Sequence, residues 1–170
     1  MGHPADLSEC SCSKERAVAL GVAVGADGIT AVVADGRGRV ISCLERGLPE
    51  GGHSNGHRLA EEVAGVIASL RTSAADELAG EVAEAVKTSA LAVGVCVPGV
   101  VDEEGRVCRS GALGLQDVPL ASLVSQSLAG TAAESAEVAL YQDARCGAWA
   151  ESRWGAAGEN CLFLSVAEHI

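Results

Sequence analysis

Aromatic side chains are nearly absent from this 170-residue chain: Tyr141, Trp149, Trp154 and Phe163 make up 2% of it. Without a row of aromatic faces the chain lacks the platform on which single-stranded nucleic acid stacks. Basic residues are also few. Twelve Lys and Arg against 23 Asp and Glu leave a formal net charge of −11 and a pI near 4.7. Such a surface repels phosphate backbones, so direct nucleic-acid binding is excluded. No apolar run approaches the roughly 20 residues that cross a bilayer. The leading MGHPADLSECSCSKER has no apolar stretch before Ala17, which argues against a signal peptide and for a cytoplasmic chain without a membrane partner. What the chain does have is 48% hydrophobic residues, enough to exclude disorder for its bulk and to build a core without disulfide staples.

The seven cysteines (Cys10, Cys12, Cys43, Cys96, Cys108, Cys146 and Cys161) are odd in number and scattered. In a reducing compartment they read as small core residues and free thiols. Cys10-Ser-Cys12 has half the spacing of a zinc site, but no second Cys/His pair follows, so no metal site is assigned. His53 and His57 lie four apart among glycines, which reads as a loop. Asp102-Glu103-Glu104 reads as a solvated turn.

Residues 1–16 form a polar lead that reads as flexible. From Ala17 to Ile170 the texture is that of one domain. Ala17–Val24 is a continuous apolar run, as expected of a strand buried on both faces. The turn Gly25-Ala26-Asp27-Gly28 follows, its glycines free to take positive φ. Ile29–Ala34 and Arg39–Glu45 are two further strands, joined by the hairpin signal Asp35-Gly36-Arg37-Gly38. A Gly-rich loop leads to Asn55, which caps a helix carrying Leu59, Val63, Val66, Ile67 and Leu70 on one face. A second helical stretch is expected over Ala75–Thr88. Then come a buried strand at Ala90–Val97, a small hairpin over Val100–Cys108 and a short helix over Pro119–Leu128. Val138–Tyr141 is a strand, Ala144–Trp154 a helix and Cys161–Val166 a last apolar strand. A three-stranded antiparallel meander followed by alternating helices and parallel strands is an α/β lobe.

Four segments in this order resemble the ROK family of bacterial sugar kinases and sugar-responsive repressors. They are Leu20–Ile29 (LGVAVGADGI), Val93–Val101 (VGVCVPGVV, with its Gly-x-x-x-Pro-Gly pattern), Ala112–Leu120 (ALGLQDVPL) and Val138–Gly155 (VALYQDARCGAWAESRWG). The resemblance implies a ribonuclease-H-like, actin-like ATPase lobe over residues 17–170. It spans the family's N-terminal lobe only. The second lobe, its sugar-contacting Glu/His motif, its cysteine zinc motif and the winged helix-turn-helix of the repressors have no counterpart in these residues.

The resemblance also implies site positions. The kinases carry an Asn-Asp pair whose Asp takes the proton of the sugar hydroxyl that attacks the γ-phosphate. Here the pair is Gln142-Asp143. From the residues alone, Asp143 also reads as the N-cap of the helix beginning at Ala144. Pro98-Gly99 shapes the wall of the sugar cleft, so Gly99, Gln142 and Asp143 are the sugar-binding candidates. The family's Asn before Leu-Gly is Ala112. The family's first phosphate loop resembles Asp-x-Gly-Gly-Thr-Lys, and its aligned residues here are Ala23, Val24, Gly25, Ala26, Asp27 and Gly28. Only Gly25 survives as a phosphate-loop residue of the family type. Asp27 places an anion, and Gly28 removes the cation, where a phosphate would lie. The second loop, Gly-Thr-Gly-Ile-Gly in the family, corresponds to Ala167-Glu168-His169-Ile170. Trp149 and Trp154 read as packing residues.

Three functions follow from the resemblance. The substitutions point to a catalytically silent lobe, a sugar-sensing or regulatory remnant with no cofactor. The alternative is an ATP-dependent kinase of glucose or an N-acetylhexosamine, with Asp143 as general base and ATP and Mg²⁺ as cofactors. The third is the effector-binding part of a transcriptional repressor whose DNA-binding part is supplied elsewhere. The apolar run Cys161–Val166 implies self-association, or a partner chain that covers the place of the second lobe.

Overall fold

A computed structural model describes residues 18–35, 37–48, 55–77, 86, 92–131, 133–156 and 162–164. The lead 1–16, Cys10, Cys12, His53, Cys161, the loop at Ala167–Ile170 and most of the second helical stretch lie outside the described residues.

Three strands open the fold: β1 (Val18–Val24), β2 (Gly28–Asp35) and β3 (Val40–Gly47). β1 pairs antiparallel with β2, and β2 with β3, as the turn chemistry predicts. Asp35 closes the β2–β3 turn. Its Oδ1 accepts the backbone N–H of Arg37 at 3.0 Å and of Arg39 at 2.9 Å, and its Oδ2 lies 3.3 Å from Arg39 Nε. The Arg39 backbone bond foremost, with the Arg37 N–H and the Arg39 charge, holds the Asp35 carboxyl below its ordinary value of 3.8. A carboxyl whose folded pKa is depressed contributes stability that is present above the unfolded value and is lost as pH falls through the folded one. Wild-type protein is therefore expected to lose more stability than Asp35→Asn when pH is lowered below about 4. Urea unfolding of both proteins over an acid pH series checks this; equal slopes would refute it.

Helix α1 (Gly56–Glu77) crosses beneath these strands. Asn55 caps it as expected, its Oδ1 accepting the N–H of His57 at 3.0 Å and of Arg58 at 3.3 Å. Its apolar face (Leu59, Val63, Val66, Ile67 and Leu70) is buried in the core. The helix runs unbroken through Ala75, where a second helix was expected to begin, because Arg71 through Glu77 contains no glycine or proline to stop it. Val86 is helical and buried, and its carbonyl accepts Arg71 Nε at 2.8 Å. His57 lies in the first turn of α1, not in a loop.

β4 (Ala92–Val97) and β8 (Glu137–Gln142) pair in parallel, β4 with β1 and β8 with β4. Among the described residues the main sheet has the order β3-β2-β1-β4-β8. Between β4 and β8 the chain makes a smaller antiparallel sheet of β5 (Val100–Val101), β6 (Val107–Ser110) and β7 (Leu115–Val118). The hairpin was expected and β7 was not. Its Leu115–Val118 has only one buried residue, Leu115, so it carries no visible strand pattern. Helix α2 (Leu120–Ser127) packs on α1 and β8; helix α3 (Asp143–Trp154) packs on β8 and β4.

The runs read as strands buried on both faces are buried on one. In β1, Leu20, Val22 and Val24 are buried while Ala19 and Ala23 are exposed. In β4, Val93, Val95 and Val97 are buried and Gly94 and Cys96 are only half-buried. The large side chains alternate with small ones, and the large ones face α1 and α2. The predicted strand Cys161–Val166 is also corrected within its described part. Residues 162–164 are not in a strand; Phe163 packs its ring against Gly147 of α3, where a Cβ would lie 2.6 Å from the ring. Phe163 therefore lies against a helix. Among the described residues, no helix is long and apolar enough to cross a membrane.

Candidate functional site

The parallel strands β1, β4 and β8 end level with one another: Ala23 is opposite Cys96, Cys96 opposite Tyr141 and Val97 opposite Gln142. In sheets of this kind ligands bind outside the carboxyl ends of the strands. Two clefts open there. The first, about 560 Å³, is lined by the β1–β2 turn, by Glu45 and Arg46 of β3, by Cys96 and by Asp143. The second, about 700 Å³, is lined by Gly99, the Asp102–Glu104 turn, Tyr141, Gln142 and Arg145. The fold thus brings Gly25, Asp27, Gly28 and Asp143 into one cleft, and Gly99 and Gln142 into its neighbour. Ala112 lines neither.

Asp143 is the first residue of α3 and is exposed. The N-cap is Gln142, in extended conformation with no side-chain cap bond, so the reading of Asp143 as the cap does not hold. The Asp143 Oδ1 instead accepts the N–H of Ala144 at 2.7 Å. Its carboxylate sits at the N-terminal end of the helix.

The turn Gly25–Gly28 is closed by a 2.8 Å bond from Gly25 N–H to the Gly28 carbonyl. Neither glycine has positive φ. Gly28 is needed for space: a Cβ there would lie 2.7 Å from the Arg46 carbonyl oxygen. Of the described residues lining this cleft, Asp27, Glu45 and Asp143 carry negative charge and Arg46 positive charge. Arg46 is itself 3.7 Å from Glu62. In the second cleft Gly99 adopts φ +126°, and a Cβ there would collide with the Arg109 carbonyl oxygen. The Asp102 Oδ1 is engaged in its own turn, accepting Glu104 N–H at 3.1 Å and Arg106 N–H at 2.8 Å.

Sequence reasoning missed Cys96 and Cys146 as residues of the site. Cys96 stands at the carboxyl end of β4 and Cys146 in the first turn of α3, three residues after Asp143. Burial pushes Cys96 up to about 11, with Cys146 and Asp143 adding to it. Burial also raises Cys146. None of the four described cysteines is a core residue: Cys43 and Cys108 are exposed, Cys96 and Cys146 half-buried, and all are free thiols. Trp149 and Trp154 are not core residues either. They are 61% and 56% exposed and form an edge-to-face pair 5.2 Å apart, with the Trp154 ring over Gly38.

Solved structures of similar fold place the lobe. An inorganic polyphosphate/ATP-glucomannokinase from Arthrobacter sp. strain KM is 23% identical, with a TM-score of 0.63 over 84% of this chain and 51% of its own. A ROK family glucokinase from Streptomyces griseus, solved in complex with glucose and AMPPNP, is 25% identical with a TM-score of 0.59 over 84% and 38%. A ROK family transcriptional regulator, homologous to the E. coli MLC protein, is 15% identical with a TM-score of 0.64 over 83% and 31%. The chain spans about half or less of the length of these proteins. No curated protein sequence matches it. The architecture is that of an actin-like ATPase lobe of ribonuclease-H-like fold. With residues 19–167 matching the profile of the ROK family, and this fold around it, the chain belongs to the ROK family.

Proposed function

We propose that this chain is a ROK lobe that does not phosphorylate sugars and acts in sugar sensing or regulation. The observation that carries this reading is the β1–β2 turn. The cleft at the turn presents three carboxylates and one guanidinium already facing Glu62. A triphosphate brings further negative charge, and like charges at about 4 Å repel by roughly 1 kcal/mol in water and several near a protein surface. The position aligned with the family lysine is Gly28, and the Arg46 backbone leaves no room there for a side chain. The residues present do not fit Mg²⁺ and ATP. The sugar-binding candidates are Gly99, Gln142 and Asp143, where the two clefts adjoin. The apolar flank of α3 and residues 162–164 is the surface through which the lobe meets a second copy or a partner chain.

The kinase reading rests on one observation, the exposed Asp143 carboxylate lining the cleft, which in that reading would take the proton of a sugar hydroxyl. The similarity to a transcriptional regulator supports a repressor's effector lobe equally well. Calorimetric titration with ATP and Mg²⁺ decides between the enzymatic and non-enzymatic readings. No saturable binding is expected up to roughly millimolar nucleotide. Tighter binding, together with glucose-dependent turnover lost in Asp143→Ala, would establish the kinase instead.

A further inference from the structure

Helix α3 is held to the lobe differently from the other helices. None of its 12 residues is buried, whereas α2, with 8 residues, buries Leu120, Ala121, Leu123 and Val124, and α1 buries its apolar face. The N-cap Gln142 makes no side-chain cap bond, and Gly147 places in the helix interior a residue that weakens it. Two aromatic rings fasten α3, and each falls on a glycine. At the C-terminal end the Trp154 ring lies over Gly38 in the β2–β3 turn, where a Cβ would meet Cε2 at 2.8 Å and Nε1 at 2.9 Å. One turn after Asp143 the Phe163 ring lies on Gly147, where a Cβ would meet Cζ at 2.6 Å and Cε1 at 2.7 Å. So close an approach to the backbone requires that no side chain be there.

We propose that Phe163 is a positioning residue: its ring on Gly147, with that of Trp154 on Gly38, clasps α3 to the lobe, and α3 opens as a separate unit when the clasp is released. Buried apolar area sets how firmly an element is held, and elements with little of it open locally without global unfolding. Asp143 and Gly147 are i, i+4 neighbours on one side of the helix, so a ring seated on Gly147 bears on the turn that carries Asp143. Asp143 lines the first cleft and Arg145 the second, so opening of α3 withdraws a charged group from each. A ligand that touches either group favours the clasped form by its differential affinity. This inference stands whether or not the lobe binds a sugar or a nucleotide.

The clasp reverses an ordinary rule. Alanine is preferred to glycine in a helix interior, so Gly147→Ala alone tightens α3. With Phe163 in place the added methyl group strikes the ring and displaces it, so the same substitution loosens α3. The three atoms nearest to that Cβ all belong to the Phe163 ring. Removing the ring therefore leaves the helix preference to act by itself. Gly38 does not permit this comparison, because its φ of +80° strains any replacement.

Amide hydrogen exchange read by mass spectrometry tests this, at concentrations where light scattering shows a monomer. In the wild-type chain the amides of α3 are expected to exchange at least about a hundredfold faster than those of α1, because α3 opens locally and α1 only with the lobe. Phe163→Ala and Trp154→Ala are each expected to quicken exchange in α3 by about fivefold or more and to leave α1 unchanged. Gly147→Ala is expected to quicken α3 in the wild-type chain and to slow it by about fivefold in Phe163→Ala. That reversal of sign separates a clasp from a general loss of stability. Equal exchange in α3 and α1 of the wild-type chain would overturn the proposal. So would Gly147→Ala slowing α3 in both backgrounds. Loss of protection in α1, or failure to fold, in any of these variants also counts against it, since a helix that opens by itself leaves the rest of the lobe intact.

Discussion

Gly99→Ala is expected to destabilise the protein by about 2–4 kcal/mol, whereas Gly94→Ala, five residues earlier in the same motif, leaves stability unchanged or raises it by up to about 1 kcal/mol. The two glycines look alike in VGVCVPG but serve different ends. Gly99 has φ +126°, a conformation L side chains rarely adopt, and a Cβ there would strike the Arg109 carbonyl and lie 3.0 Å from Ser110 Cα. Gly94 sits in β4, where a Cβ would meet nothing within 4 Å. Alanine there removes only unfolded-state freedom. Because Gly99 and Gln142 line the same cleft, the strain in Gly99→Ala falls on a candidate sugar contact as well as on the fold. Urea unfolding measures both, the midpoint shifting at constant slope for an effect on stability alone. Similar midpoints for the two variants would show that the Pro98-Gly99 bend is not required by its φ.

Self-association is the second large effect. Leu162 and Leu164 are 91% and 78% exposed on either side of Phe163, which packs on Gly147 of α3. A leucine fully buried gains about 1.5–3 kcal/mol. Even after the costs of association, covering two of them supports a weakening of at least about a hundredfold when both are replaced. Light scattering over a concentration series is expected to show wild-type protein associating and Leu162→Ser/Leu164→Ser shifted to the monomer. With a net charge of −11 on each copy, added salt should strengthen the association by screening repulsion. A wild-type chain that stays monomeric at about 100 μM in both low and high salt would overturn the expectation, since a micromolar contact is saturated there.

Much of the fold was legible because its signals are local. Asn55 before an apolar stripe at helical spacing gave α1 its start, and Asp35 with its following glycine marked the β2–β3 turn. What failed were inferences about surroundings. Ala17–Val24 and Ala90–Val97 read as doubly buried because every residue in them is apolar or small. The sheet buries only the face carrying Leu20, Val22, Val24, Val93, Val95 and Val97. The tryptophans of α3 read as packing residues and stand in solvent, because which face of that helix is covered depends on elements remote in sequence. Asp143 was placed at the right junction but one position off as a cap, a difference that backbone dihedrals decide.

By itself the sequence determined the family, the three-stranded antiparallel opening and the start of α1, since each depends on residue identity along a few consecutive positions. Only the tertiary structure decided that Gly28 is closed to a side chain by the Arg46 backbone, that Asp143 stands where the two clefts adjoin, and that Cys96 lines the same cleft as Asp143. These depend on the parallel register of β1, β4 and β8 and on the helix that follows β8. Strand register is set by summed packing across the whole sheet, so no local pattern of residues encodes which distant side chains it brings together.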